Sequence, residues 1–276
     1  MTFVLTGFAD EISSQPDEQL SVLAEESIGY LEFRSAWSVN VADLTDAQVK
    51  AFRTALDNAG VQVSAIGSPI GKIGITAPFE PELERMRRIA EIAAALGTNL
   101  VRVFSFFIPD GDPPERYRTK VIDQLAALTQ IAVDHGLILA HENEKLIYGD
   151  IPERCADLIA SVESPNLRAT FDAANFVQCG VRPHTDAYGL IRPYLTYVQI
   201  KDAIAATGEV VPAGRGDGEV RQTLSALIEE GFDGFLSLEP HLAREGTFGG
   251  FSGPANFRRA ASALKDLLAG LDADWT

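Results

Sequence analysis

Hydrophobic and polar positions along the chain follow two alternating rhythms. Stretches in which apolar residues recur every three or four positions give way to short runs rich in β-branched and aromatic residues. Five of these changes are marked by glycine: Gly29 before YLEFR, Gly60 before VQVSAIG, Gly97 before TNLVRVFSF, Gly136 before LILAHE and Gly231 before FDGFLSLE. Glycine there supplies the left-handed residue that ends a helix. The pattern predicts strands near 3–8, 30–34, 61–66, 99–105, 137–142, 168–172, 195–200 and 234–239. It predicts helices near 16–28, 45–59, 79–96, 115–135, 152–162, 184–193, 219–230 and 255–269. Start signals agree: Thr45 and Asp46 offer caps, and Pro81 and Pro152 suit a first turn. In the third helix Leu83, Met86, Ile89, Ala90 and Ala93 form one apolar stripe.

Eight strands alternating with eight helices define an α/β chain folded as a single (β/α)8 TIM barrel over residues 1–276. An open doubly wound sheet would call for a glycine-rich loop after the first strand, and none is present. The tail DADWT, after Leu271, is expected to be poorly ordered. Composition sharpens this only slightly. The chain has 276 residues, 46% hydrophobic, with a formal net charge of −16 and a pI near 4.6. Such acidity disfavours nucleic acid and anionic membranes as partners. Two cysteines, Cys155 and Cys179, allow no CxxC pair and suit a reduced, cytoplasmic setting. The opening MTFVLTGFADEIS lacks the basic start of a signal peptide, and no apolar run is long enough to span a membrane.

The chemistry gathers where strands end. The run Leu137–Ala140 breaks abruptly into His141, Glu142, Asn143, Glu144 and Lys145. The next strands end in Asp172, in Gln199 followed by Lys201 and Asp202, and in Glu239. In a barrel these C-terminal ends share one mouth, so three carboxylates and an amide converge. Burying three carboxylates together is costly without compensation, and a divalent cation would compensate them. A strand-end acid can equally be a cap, which leaves a polar hydrogen-bonded rim as the other reading. Alternation turns His141 away from the mouth.

The set Glu–Asp–Gln–Glu on strands 5 to 8, with HENEK, FDAANF, QIKDA and LEPH around it, resembles the xylose-isomerase-like barrel superfamily and its sugar phosphate isomerase/epimerase members. The similarity runs from GFADEIS at 7–13 to the closing GFSGPANFRRA. It implies that Glu142, Asp172, Gln199 and Glu239 hold the metal and that Glu142 and Glu239 are the catalytic acid/base pair. Most sugar epimerases of this group have His where Gln199 stands. An all-oxygen shell favours Mn²⁺ or Mg²⁺ over Zn²⁺. Gln there is also the pattern of the related 3-dehydroshikimate dehydratases. Asn175 replaces the substrate-holding His of ketose 3-epimerases.

Further candidates for substrate contact are Glu144, Lys201 and His241, each two residues beyond a strand-end ligand. Glu32 and Arg34 share a face of strand 2 and form either a sugar-binding pair or a buried ion pair. Trp37 could wall the pocket. The segment PAGRGDG (212–218) reads as a mobile lid whose Arg215 meets an anionic group. Asp10 and Glu11 lie at the strand-1 mouth or simply lead into helix 1. The expected function is a metal-dependent sugar, keto-sugar or inositol-type polyol isomerase or epimerase working through an enediolate. The alternative is a lyase of the dehydratase type. The expected partner is a small-molecule sugar or polyol, with a homo-oligomer open. A sugar-binding barrel without catalysis and a DNA-repair nuclease fit less well, the first because Glu142 and Glu239 are both present, the second because of the charge.

Overall fold

The computed structural model describes residues 2–243 and 252–276. Eight parallel strands carry the β-branched and aromatic runs: β1 Thr2–Gly7, β2 Tyr30–Phe33, β3 Gln62–Gly67, β4 Leu100–Val103, β5 Ile138–Glu142, β6 Leu167–Asp172, β7 Leu195–Ile200 and β8 Phe235–Leu238. From β2 to β8 each strand pairs with the next, and β8 pairs with β1. A single parallel bridge between Phe8 and Glu32 joins β1 to β2 and closes the ring. The molecule is therefore a TIM barrel.

The lower part of that seam is filled from the other end of the chain. Asp274–Trp275, β9, pairs with Thr2 and Phe3 of β1, and Thr276 exchanges backbone hydrogen bonds of 2.9 Å with Phe3 and Leu5. The expectation of a poorly ordered tail is thus overturned. The outer edge of β1 is free of β2 below Phe8, and unpaired strand-edge groups draw a partner.

Helices cover the barrel: α1 Pro16–Glu25, α2 Asp46–Ala59, α3 Glu80–Leu96, α4 Arg118–Asp134, α5 Pro152–Val162, α6 Ala173–Gln178, α7 Val220–Glu230 and α8 Gly253–Ala269. Thr45 caps α2 in a reciprocal capping box with Gln48. Met86, Ile89, Ala90 and Ala93 of the α3 stripe are buried. Gly60, Gly97, Gly136 and Gly231 adopt the left-handed conformation at helix ends, but after α1 Ser27 does so instead of Gly29. Two helical readings need revision. The short α6 directly follows β6 because the Asp172 side chain accepts the Asn175 amide and nucleates a turn. The predicted 184–193 helix is a wide π-type turn over Pro183–Tyr188 followed by two short helical turns to Tyr194. Pro193 would interrupt a regular helix by removing a donor.

Register levels the strand ends. Asp172 lies opposite Gln199, and Leu238 opposite Ile200, so Asp172, Gln199 and Glu239 reach the C-terminal mouth together. The barrel interior below them is unusually polar. Thr6, Ser64 and Tyr197 form a hydrogen-bonded cluster with 2.8 Å contacts, and Ser237 Oγ donates to Glu32 Oε2 at 2.7 Å.

Candidate active site

Glu142, Asp172 and Glu239 are buried, and a ligand oxygen from each lies within 4.8 Å of the others. Each carboxylate has its own support. Arg102 Nη1 lies 3.1 Å from Glu142 Oε2, and Asn175 Nδ2 donates to Glu142 Oε1 at 2.9 Å. Asp172 accepts the Asn175 amide at 2.9 Å, while its own backbone is clamped by both ends of the Asn143 side chain. Lys201 Nζ sits between Asp172 Oδ2 at 2.9 Å and Glu239 Oε2 at 2.7 Å. Arg34 Nη1 reaches Glu239 Oε1 at 3.1 Å.

The proton affinities diverge. Burial, with Glu239 and Asp172 nearby, pushes Glu142 up to about 8 against the pull of Arg102. Burial also opposes charge on Glu239, but Lys201, His241 and Arg34 outweigh it and hold that carboxylate well below its usual range. Burial raises Asp172 despite Lys201. Lys201 resists its own burial because Asp172 and Glu239 flank it, so its ammonium persists well above the ordinary range.

A cavity of about 140 Å³ opens onto this cluster, with Arg34, Lys72, Arg102 and Lys201 facing Glu142, Glu144 and Glu239. Its cationic wall is a ladder. Arg34 lies over the Phe8 ring at 4.5 Å, Arg102 lies between Phe8 and Phe104 at 5.0 and 4.7 Å, and Lys72 caps Phe104 at 4.2 Å. Cation–aromatic packing fixes the height of each charge. Gly67 makes room for it, since a Cβ there would stand 2.6 Å from Phe8 Cε1. A larger hollow of about 400 Å³ lies between α2 and α3, but Arg88 pairs there with Asp46 and Glu91, and no set of functional groups converges on it.

The other sequence candidates divide. Glu144 lines the mouth and pairs with Lys72 at 3.5 Å. His241 lines it too, its Nε2 lying 3.1 Å from Glu11 and 3.3 Å from Glu239, though out of line for a hydrogen bond. Asn175 has both amide protons engaged, on Glu142 and the Asn143 carbonyl, so it braces a carboxylate. Glu32 lies beneath the cavity, on Ser237 and Gln199, and is not paired with Arg34. Burial pushes Glu32 up to about 7, Arg102 and Ser237 opposing. Trp37 packs edge-on against Phe52 at 6.1 Å, away from the mouth. Arg215 is exposed and does not line the cavity. The 212–218 segment is pinned: the buried Asp202 carboxylate accepts the amides of Gly214, Gly216 and Gly218 at 2.8–2.9 Å.

The structure adds Arg102, which was not singled out, and gives Asp10 and Glu11 a definite place at the mouth. Arg102 stands between valines in the apolar strand LVRV, and a lone charge in a buried strand is the signal that could have found it. Asp10 and Glu11 hold Arg34 at 2.7 and 3.0 Å, and Glu11 also accepts Ser252 Oγ at 2.7 Å. Phe106, Leu146, Trp37, Ser38 and His241 adopt positive φ in loops that follow the strands. Such strain commonly gathers at functional sites.

The donor set fits a divalent cation. It offers three buried carboxylates and an amide, and one amide atom of Gln199 lies 2.9 and 3.1 Å from the two Glu142 oxygens. In the surrounding network the carboxyls of Asp10, Glu11, Glu32, Glu142, Asp172 and Glu239 outnumber the cations of Arg34, Arg102 and Lys201. A hard cation suits such oxygen donors.

Fold and site together define a TIM barrel with an acidic cluster at the C-terminal mouth, the face where barrels of this kind place their chemistry. The chain belongs to the xylose isomerase-like TIM barrel family, whose model matches residues 21–267. It is similar to a 2-epi-5-epi-valiolone 7-phosphate 2-epimerase from an Actinoplanes species, with 31% identity over 176 residues, 63% of each chain. It is also similar to a 3-dehydroshikimate dehydratase from Bacillus anthracis, with 22% identity over 134 residues, 49% of this chain and 48% of the relative. The matches thus span less than two thirds of these relatives' length. In fold it resembles a D-tagatose 3-epimerase-like protein at a TM-score of 0.79 and 17% identity, covering 98% of both chains. Among the described residues no helix is long and apolar enough to cross a membrane.

Proposed function

We propose that this protein is a divalent-metal-dependent isomerase or epimerase of a keto-sugar or inositol-type polyol, with residues 1–276 acting as one barrel domain. The observation that carries this reading is the convergence of Glu142 and Glu239 on one cavity beside Asp172 and Gln199. A relative that is by its name an epimerase of a 7-phosphate substrate points the same way.

Glu142, Asp172, Gln199 and Glu239 would hold the cation, with Mn²⁺ or Mg²⁺ matching four oxygen donors better than Zn²⁺. When bound it supplies Lewis acidity that polarises a carbonyl and makes the adjacent carbon acid. Glu142 and Glu239 are the pair that would remove and return a proton beside the substrate carbonyl. Lys201, which lies between two carboxylates, would donate to a substrate oxygen, and Arg102 and Asn175 keep Glu142 oriented. Glu144, His241 and Arg34 line the space where substrate hydroxyls would lie.

A dehydratase is the second reading, favoured by Gln199 and by the B. anthracis relative. Incubation of the Mn²⁺-loaded protein in D₂O with free and phosphorylated keto-sugars and cyclitol ketones separates the two. Deuterium entering recovered substrate and its epimer supports proton transfer. An ultraviolet-absorbing conjugated product identifies a lyase. Neither outcome across the panel, with metal bound, would sink the catalytic reading.

A further inference from the structure

We infer that Glu32 is a positioning residue that decides which end of the Gln199 amide faces the metal site. The inference rests on the divalent-metal reading above. Gln199 stands between two carboxyls. One of its amide atoms lies 2.9 and 3.1 Å from Glu142 Oε1 and Oε2, and its other end lies 3.4 Å from Glu32 Oε1. A carboxamide has a donor end and an acceptor end and can present only one to each side. Turned one way, the NH₂ group donates to Glu142 and the oxygen is withdrawn from the site. Turned the other way, the oxygen faces the cluster where a cation would sit, and the NH₂ group needs an acceptor behind it. Glu32 Oε1 is that acceptor.

Several features show that Glu32 is built for this place. It is only 1% exposed and does not line the cavity, so a substrate does not reach it. The β2–β3 register slips between Leu31 and Glu32, where Ser64 of β3 is the extra residue. Its other oxygen is fixed by Ser237 Oγ at 2.7 Å, which leaves Oε1 for Gln199. The Glu32 backbone also makes the bridge to Phe8 that closes the barrel. Partners behind a metal ligand typically change metal affinity by about 10–100-fold.

The test is Mn²⁺ affinity, measured by calorimetry and by electron paramagnetic resonance, in the full chain. Glu32→Met, close in volume but without an acceptor, is expected to weaken Mn²⁺ binding by about 10-fold or more. Glu32→Gln, whose amide oxygen can still accept, should restore affinity to within about threefold, a gap of ~0.7 kcal/mol at most. In a Gln199→Ala background Glu32→Met should cost nothing further, because Glu32 acts through Gln199. A folded Glu32→Met protein with unchanged affinity overturns the inference, as does an equal loss in both backgrounds. If Glu32→Met does not fold, the parent protein is read directly by following the Gln199 side-chain NH₂ resonances during Mg²⁺ titration. A large shift supports reorientation, and unmoved resonances at saturation overturn it. A parent protein that binds neither Mn²⁺ nor Mg²⁺ overturns the metal reading itself, which separates that failure from a failure of Glu32.

Discussion

His141 and Glu142 are adjacent in sequence and opposite in surroundings, because alternate residues of a strand face opposite sides. Glu142 meets Arg102 and Asn175 at the mouth, whereas the His141 ring is packed behind β5 on Gly149 with neither nitrogen hydrogen-bonded. Burial lowers His141 from 6.5 to about 4. The unfolded chain therefore binds the proton more readily, and this contribution to stability is complete above about pH 6.5 and lost as pH falls towards 4. The loss is roughly 3 kcal/mol over that window. Urea unfolding at pH 7 and pH 4.5 should show a smaller acid destabilisation for His141→Leu than for the parent; equal slopes would refute this. Arg102 gives a second test. Arg102→Met removes the cation that favours charge on the buried Glu142, so the carboxyl should stay protonated to higher pH and the loss of stability, read from denaturant midpoints, should be larger at pH 9 than at pH 7.

At the scale of elements, one aspartate turns an apparent lid into a fixed loop. Asp202 follows the inward Lys201, points the other way, and gathers the Ala203, Gly214, Gly216 and Gly218 amides at 2.8–2.9 Å. Glycine at 216 and 218 lets the backbone close on that carboxylate, since a Cβ at either would come within 2.6 Å of Asp202 Oδ1. A hydrogen bond to a charged group contributes about 1.5–3 kcal/mol. Asp202→Ala should therefore raise hydrogen exchange of the three glycine amides by about 10–100-fold while leaving the barrel strands protected. Unchanged exchange at these amides would show that the loop is held by other contacts.

For the whole molecule, closure is shared between the two chain ends. Among the described residues the backbone pairing of β1 with β2 is the Phe8–Glu32 bridge, and β9 completes the lower edge of β1. Deleting residues 273–276 removes the pairing of β9 with β1, the 2.9 Å backbone hydrogen bonds of Thr276 with Phe3 and Leu5, the 3.0 Å bond from Ala273 to Leu268, and the cover supplied by Trp275. The expected loss is roughly 1–3 kcal/mol and a few degrees in Tm, with more aggregation from the exposed β1 edge. A truncated protein that melts with the parent would mean the tail contributes nothing. Metal addition is the complementary measurement. A ligand at 100 times its Kd stabilises by about 2.7 kcal/mol, so Mn²⁺ should raise Tm in the parent and much less in Asp172→Asn.

Local sequence was enough for much of this. Periodicity, caps and helix-ending glycines determine the eight strands and seven of the helices, and the acids that end β5 and β6 and follow β8 are visible because an apolar strand breaks into charge at each. Those patterns depend on neighbours one to four residues apart. Which carboxylate meets which cation depends on residues far apart in the chain. Arg34 on Glu239, Arg102 on Glu142 and Gln199 on Glu32 join partners carried by different strands. No local spacing encodes these pairings. The tail strand and the pinned 212–218 loop were illegible for the same reason: their order comes from unpaired backbone groups and a buried carboxylate elsewhere in the fold, and only the closed barrel brings these within reach.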